Sequence, residues 1–233
     1  SNIITGGGYG LVVYGASNAN ANRGFLIRNN TINSANYMGC YIAYNWNPIK
    51  FLNNTVTMTN TYSTYGVYYY SNQSTNTAIS HDFIGNTISN FSTYGIYAYL
   101  THGTTNAPFK CYNNIINNGT NAYTTGYYGI YNYSSGVTEF YHNTVRMNFA
   151  GTSTTYSGMY YGGTTATTTI KNNIFSVAAG SLTPLYLATN PTGNNVNYNV
   201  YHNGSSGTNL VYRNGTFFNA SNYKTATAGG DTS

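Results

Sequence analysis

The sequence of 233 residues predicts an all-β fold, a parallel β-helix (solenoid) of about seven coils with an asparagine ladder at one turn. The first observation is a short phrase, typified by Asn53-Asn54-Thr55-Val56, that recurs along the whole chain. Its marker asparagines follow one another at steps of 24 to 32 residues, a period typical of stacked solenoids. The markers are Asn30, Asn54, Asn86, Asn114, Asn143, Asn173 and Asn199.

The second observation is a Gly-x-Tyr phrase that runs out of phase with the first, as in Gly66-Val67-Tyr68 and Gly95-Ile96-Tyr97. Each repeat therefore carries at least two short strands with period-two alternation, separated by Asn, Gly, Ser and Thr turns. No segment shows the 3.6-residue period of a helix. Each repeat is then one coil, whose strands pair in parallel with their equivalents in the coils above and below.

The marker asparagine is expected at a tight turn between two apolar columns. The third residue before each marker is Ile27, Phe51, Phe83, Cys111, Phe140, Ile170 or Val196, and the second residue after it is also apolar or aromatic, so both columns face inward. Asn tolerates the left-handed backbone of a tight corner and can bond to the Asn of the next coil. We therefore predict a structural Asn ladder through all seven markers.

Four of the eleven charged residues fall on the fourth position before the marker, which should face solvent. The central coils carry Lys50, Asp82, Lys110 and Glu139 there, so their signs alternate. Opposite charges on neighbouring strands stabilise a sheet slightly. The pattern predicts an external ion-pair ladder with a structural role.

The Gly-x-Tyr strands predict a tyrosine-rich outer face. If the residue after each Gly faces the core, the next residue and the one two further on face solvent. Two adjacent stripes of exposed Tyr would then mark an interaction surface, although aromatic pairing between strands is a sufficient structural reason for them. The candidate binding residues are Tyr41, Tyr68, Tyr70, Tyr97, Tyr99, Tyr131, Tyr133, Tyr160 and Tyr186.

Composition excludes several classes of partner. Charged residues make up 5% of the chain, and its net charge of +5 comes from eight Lys and Arg that are not clustered, so no nucleic-acid partner is expected. No apolar run approaches the ~20 residues that cross a bilayer, so no membrane insertion is expected.

The Asn-Asn-Thr-Ile and Gly-Ile-Tyr phrases at this period resemble the right-handed parallel β-helix repeats of the pectin-lyase-like superfamily. The end of the chain, including Asn197-Tyr198-Asn199-Val200-Tyr201, resembles the closing part of β-helix modules in large secreted or cell-surface proteins of Bacteroidota-type bacteria. The resemblance implies a right-handed coil and an extracellular or cell-surface location. It is specific for fold and weak for function, because the superfamily contains enzymes, adhesins and tail spikes.

A catalytic or metal site is not expected. The lyases and hydrolases of the superfamily that this chain resembles use clustered acidic residues, whereas its only carboxylate side chains are Asp82, Glu139 and Asp231. Asp82 and Glu139 lie two coils apart, each beside a Lys, and the four histidines share no column. A His81–Asp82 dyad lacks a nucleophile placed by any motif. We therefore predict no cofactor, although a polysaccharide lyase or hydrolase stays open as an alternative.

The function expected from these features is a non-catalytic extracellular structural or adhesive module, such as an adhesin stalk or a filament-forming subunit. We expect one β-helix domain over 1–233, a fragment of a longer protein, with repeat coils over 1–200 and a closing segment over 201–233. Its expected partners are flanking domains or further copies joined end to end. The alternative is a module that binds a polysaccharide or cell-surface glycan through its Tyr stripes.

Overall fold

The computed structural model describes residues 1–15, 24–45, 48–59, 63–72, 79–99, 104–119, 128–151, 157–163, 167–180, 183–189, 195–204 and 209–219. Within these ranges the chain forms 24 β-strands and no helix. The strands build three sheets, and each coil from β1 to β21 places one strand in each sheet. The predicted all-β parallel solenoid is confirmed.

Sheet 1 follows the asparagine turn and contains eight strands in parallel. Its strands are β1 (Ile3–Thr5), β4 (Thr31–Ala35), β7 (Thr55–Met58), β10 (Thr87–Ser89), β13 (Ile115–Asn117), β16 (Thr144–Gly151), β19 (Ile174–Gly180) and β22 (Val200–Asn203).

Sheet 2 carries the Gly-x-Tyr phrases and contains nine strands. They are β2 (Tyr9–Tyr14), β5 (Met38–Ala43), β8 (Tyr65–Tyr70), β11 (Tyr94–Tyr99), β14 (Tyr128–Tyr133), β17 (Ser157–Tyr161), β20 (Thr183–Leu187), β23 (Val211–Arg213) and β24 (Thr216–Phe218). The last two form an antiparallel hairpin through Asn214 and Gly215, both at positive φ, as a two-residue turn requires.

Sheet 3 precedes the asparagine turn and contains seven strands. They are β3 (Phe25–Arg28), β6 (Ile49–Leu52), β9 (His81–Ile84), β12 (Phe109–Tyr112), β15 (Thr138–Tyr141), β18 (Thr168–Lys171) and β21 (Asn195–Asn197).

The core is a set of apolar columns that run along the rod. The predicted columns of sheets 1 and 3 are in register, as Ile88 with Ile116 and Phe51 with Phe83 show, and their members are buried except Tyr201, which is partly buried. Sheet 2 adds two inward columns, one with Val67 and Ile96 and the other with Tyr69. The alternation in the sequence therefore predicts correctly which side chains of these strands face the core.

The asparagine ladder is continuous from Asn2 to Asn199, one coil longer than the predicted marker set. At Asn114, the backbone N and side-chain Nδ2 both donate to Oδ1 of Asn143, at 3.1 and 2.9 Å. The same Nδ2 donates to the carbonyl oxygen of Phe83 at 2.9 Å, in the preceding coil. From Asn54 to Asn199 the side chains of the ladder are buried, and their amides join neighbouring coils where an unpaired backbone group would be costly.

The left-handed residue at this corner lies one position earlier than we expected. The positive φ angles belong to the residue before the marker, for example Asn53 (52°), Asn113 (56°) and His142 (57°). The two roles that the prediction gave to one Asn are therefore divided between two residues. The first residue turns the chain, and the buried marker forms the ladder.

A second, shorter asparagine pair stands at the corner that follows sheet 2. The backbone N and Nδ2 of Asn45 donate to Oδ1 of Asn72 at 3.0 and 2.8 Å, and both side chains are buried. Tyr44 and Ser71, the residues before them, also have positive φ. The same arrangement, a residue with positive φ followed by a buried Asn, therefore occurs at two corners of the coil, and the sequence pattern indicated only one of them.

A glycine at the second position of the sheet 2 strands β2, β5, β8, β11, β14 and β17 lies where sheets 1 and 2 approach closely. A Cβ at Gly66 would stand 2.6 Å from the carbonyl oxygen of Gly95 and closer still to Cγ2 of Ile88. The same crowding occurs at Gly10, Gly39, Gly95 and Gly129. The glycine column is thus required by packing between the sheets.

Candidate binding face

Three columns of tyrosine cover the outer side of sheet 2, and we call them together the tyrosine face. The central stripe is a single stack of parallel rings, with centroid distances from 4.1 Å to 5.5 Å between neighbours. Its members are Tyr41, Tyr68, Tyr97, Tyr131, Tyr160, Tyr186 and Tyr212. Strand register sets this stack, because each Tyr is paired with its equivalent in the next coil.

The downstream stripe stacks beside the central one and is shorter. Tyr70, Tyr99 and Tyr133 follow one another at 5.4 and 5.3 Å with nearly parallel rings. In the coil before them the register partner is Ala43, and Tyr44 supplies the ring that meets both Tyr14 and Tyr70. This stripe ends after Tyr133, because Gly162 leaves no ring in the next coil.

An upstream stripe was not recognised from the sequence. Tyr9, Tyr37, Tyr65, Tyr94 and Tyr128 line the other side of the central stripe, with consecutive centroids 5.1 to 6.0 Å apart. Their rings also meet the central ones edge to face, for example Tyr94 against Tyr97 at 5.0 Å and 79°. The Tyr that precedes the phrase Gly-x-Tyr was the signal for it.

The tyrosines proposed as exposed are in fact half-buried, which corrects the sequence-based expectation. All nine candidate binding residues are of intermediate exposure, and each ring packs against at least one neighbouring ring of the face. Tyr68 and Tyr97 are parallel within 2° at 4.8 Å, and carbon atoms in contact lie about 3.5–4.0 Å apart, so the rings overlap with an offset of roughly 3 Å. The tyrosine face thus presents mainly ring edges and hydroxyls.

Burial keeps the central phenols protonated. It raises the pKa of Tyr131 to about 12, and burial followed by the neighbouring Tyr212 raises the pKa of Tyr186 to about 12. Burial also raises the pKa of Tyr68 and Tyr97 above the usual value, with adjacent tyrosines adding to the shift. At neutral pH these four phenols are uncharged, and a protonated phenol can both donate and accept a hydrogen bond.

The tyrosine face carries no charge over most of its length. None of the sheet 2 strands from β2 to β20 contains Asp, Glu, Lys or Arg. Within the described ranges, Arg213 stands at the end of sheet 2, Arg146 on sheet 1, and all other charged side chains on sheet 3. The rod therefore has one aromatic, uncharged side.

The predicted charge column on sheet 3 is in register as expected. Lys50 pairs across the strands with Asp82, Asp82 with Lys110, and Lys110 with Glu139. The one ion pair among the described residues joins Lys50 and Asp82, and Ser80 donates to Asp82 at 2.5 Å. Glu139 accepts a hydrogen bond from the hydroxyl of Tyr112.

Of the residues considered for catalysis, His81, Asp82 and Glu139 make structural contacts, and Asp231 lies outside the described residues. His81, expected to be partly buried, is fully buried on the inner side of sheet 3, and its Nδ1 bonds the Tyr69 hydroxyl and accepts from the Ile49 amide at 3.2 Å. Asp82 points to the opposite side of the strand, into the ion pair. Among the described residues, no three His, Cys, Asp or Glu side chains form a group that could hold a metal ion.

Two further features concern the thiols and the membrane. Cys40 and Cys111 are buried free thiols, and burial raises the pKa of Cys111 to about 12. No helix long and apolar enough to span a bilayer occurs in the parts of the chain that the structure describes.

Comparison with known proteins gives no relative from which a function could be taken. No protein-family model, no curated protein and no solved structure matches this chain.

Proposed function

We propose that this chain is a non-catalytic structural and adhesive module of an extracellular or cell-surface protein, either an adhesin stalk or the subunit of a filament. The observation that carries the proposal is the unbroken asparagine ladder, which joins successive coils by the same hydrogen bonds from Asn2 to Asn199. In a solenoid each coil contacts only its neighbours, so length grows without a change of core. Such a rod suits a spacer that holds other domains apart.

The resemblance to pectin-lyase-like β-helix modules of Bacteroidota-type surface proteins belongs to this proposal. The three-sheet solenoid and the Asn-Asn-Thr-Ile phrase support it. We expect a secreted or surface-exposed parent protein in which this module joins flanking domains or further copies end to end.

Electron microscopy of native cells, labelled with an antibody against the purified chain, tests location and assembly together. We expect label outside the cell, on stalks or fibres with a regular axial repeat. Label confined to the cell interior would contradict the proposal. Beads coated with the purified chain supply the adhesion test, and a rod that binds no surface, polymer or partner would also contradict it.

The second candidate function is glycan binding, favoured by the regular array of uncharged phenols. The ring faces of the central stripe are covered by neighbouring rings, so a sugar chain would meet hydroxyls and ring edges. Replacing Tyr68, Tyr97 and Tyr131 by Ala should abolish retention on a neutral polysaccharide while the chain stays folded. Unchanged retention would exclude this face as the glycan site.

A polysaccharide lyase or hydrolase has the least support. A hydrolytic acid needs a raised pKa, and a base needs a free carboxylate near the substrate. Asp82 is held by Lys50 and Ser80, and Glu139 by Tyr112. If any turnover is detected on uronic-acid or neutral polymers, undiminished turnover in Asp82→Asn would remove the best candidate residue.

A further inference from the structure

We propose that the tyrosine face of sheet 2 is a self-association surface, on which a second copy of this chain docks side by side through the central stripe. The inference goes beyond the proposed stalk or filament, which requires contacts along the rod axis and none between rods. It rests on the composition of the face, on its area and on its chemical self-complementarity.

The composition of the face is that of an interface core. Such cores are depleted of charged residues and enriched in aromatic ones, Tyr in particular. Three Tyr stripes occupy this side, while the charged strands of sheet 3 form another side of the rod. Two chains with net charge +5 would repel least when they meet through this uncharged side.

The area is sufficient for a weak, specific dimer. Seven rings at the usual strand spacing of about 4.8 Å span roughly 30 Å, and a six-residue strand spans about 20 Å across the face. Each partner would therefore bury about 600 Å², or about 1,200 Å² in total, which is the lower limit of stable interfaces. We expect dissociation in the micromolar range, because affinity at this size depends on a few well-packed aromatic residues.

The chemistry of the face favours a second copy over an unrelated partner. A row of carbonyls or of ammonium groups could not pair with itself, but a protonated phenol both donates and accepts. A two-fold axis in the plane of the face lays the central stripe on its own equivalent, whether the rods run parallel or antiparallel. Tyr131, the fourth of the seven rings, then faces its own copy in either arrangement.

Sedimentation velocity of the purified chain, over about two decades of concentration in the micromolar range, is the direct test. We expect a reversible monomer–dimer equilibrium for the natural sequence. In the double variant Tyr97→Lys/Tyr131→Lys, like charges would face one another, and the dissociation constant should rise by at least about 100-fold. The matched control is Thr87→Lys/Ile115→Lys, which adds the same charges on the outer side of sheet 1 in the same two coils and should leave the dimer intact.

Three results would overturn the inference: a natural chain that is monomeric throughout, a Tyr variant that still dimerises, or a control that dissociates equally. Disulfide cross-linking keeps the test decisive if the Lys variants fail to fold. Tyr131→Cys should give a covalent dimer on mild oxidation and Ile115→Cys should not, while the buried Cys40 and Cys111 do not compete. No cross-link at 131, or equal cross-linking at both positions, would also overturn the pairing.

Failure of this inference can be told apart from failure of the proposed function. Monomeric rods that are still found at the cell surface and still adhere would remove only the side-by-side contact. Dimers of a protein confined to the cell interior would remove only the stalk.

Discussion

The asparagine corner and the tyrosine face are both ladders that repeat once per coil, yet they do different work. The corner is buried, and its amides bond within the core as well as to the next coil. The tyrosine rings stack between coils and stay partly exposed on the outer side of sheet 2. A ladder with all its polar groups bonded internally can only stabilise the rod, whereas a ladder of partly exposed side chains can also contact a partner.

The strongest test of this difference is Asn114→Ala. The substitution leaves the carbonyl of Phe83, two donors of Asn86 and the acceptor of Asn143 without this partner in a buried corner. An unsatisfied buried group costs about 1–3 kcal/mol, so we expect a loss of more than about 4 kcal/mol in the free energy of unfolding. Urea denaturation measures it.

The control for that variant is Asn2→Ala at the exposed end of the same ladder, where the side chain donates to Oδ1 of Asn30 alone among the described residues. We expect it to cost less than about 1 kcal/mol. Equal losses at the two positions would mean that burial does not set the strength of the ladder.

The second prediction separates the packing of sheet 2 from its tyrosines. In Gly66→Ala the added Cβ would overlap the backbone of Gly95 and the side chain of Ile88. Overpacking of this kind costs about 1–3 kcal/mol. Thermal unfolding measures the loss, and Gly8→Ala is the control, since a Cβ there meets nothing within 4 Å. A neutral Gly66→Ala would show that sheets 1 and 2 can separate freely.

The third prediction is a loss of stability at alkaline pH that arises from the tyrosine face. Burial raises the folded-state pKa of Tyr131 and Tyr186 to about 12, above the value of about 10 in an unfolded chain. Below pH of about 10 both states are protonated and pH has no effect. Between about 10 and 12 the unfolded state loses protons that the folded state retains, so the free energy of unfolding falls as pH rises.

We expect a decline of about 1 kcal/mol per pH unit in that window, the joint effect of several partly screened phenols. Urea unfolding at a series of pH values, followed together with tyrosinate absorbance, measures it. Tyr131→Phe should lessen the slope, and an unchanged slope would assign the alkaline loss to other groups.

The smallest expected effect belongs to the charged column of sheet 3. Asp82→Asn removes the ion pair with Lys50 at a partly exposed position, where such pairs contribute about 0–1 kcal/mol. We expect a loss below about 1 kcal/mol that shrinks further in high salt. A loss as large as that of Asn114→Ala would contradict the view that this column only supports the rod.

Features that depend on strand alternation were predictable from the sequence. The marker asparagines, the inward columns and the register of Lys50 with Asp82 follow from period-two alternation inside a repeat of known length. The fold was therefore predictable from particular residues without any relative.

Features that depend on how side chains meet in space were not predictable in the same way. The half-burial of the tyrosines comes from ring stacking between coils, and the left-handed residue is set one position before the marker by the hydrogen bonds of the corner. The Asn45–Asn72 pair was not predicted, because only these two coils have an Asn two positions after the end of the sheet 2 strand. The roles of the tyrosine face and of the charged column stay predictions.

The asparagine ladder also has a direction. As at Asn114, a marker donates its backbone N–H and one side-chain N–H forward, to Oδ1 of the Asn in the following coil, while the other side-chain N–H bonds back to a carbonyl of the preceding coil. A rod that folds from its N-terminal end would have the same few unpaired N–H donors at its growing tip whatever its length. Every completed coil would add a similar stabilisation. The unpaired donors at the tip cost the same free energy at every length, whereas each added coil stabilises the rod further. The free energy of unfolding of a chain synthesised in this direction therefore rises with each coil that it completes.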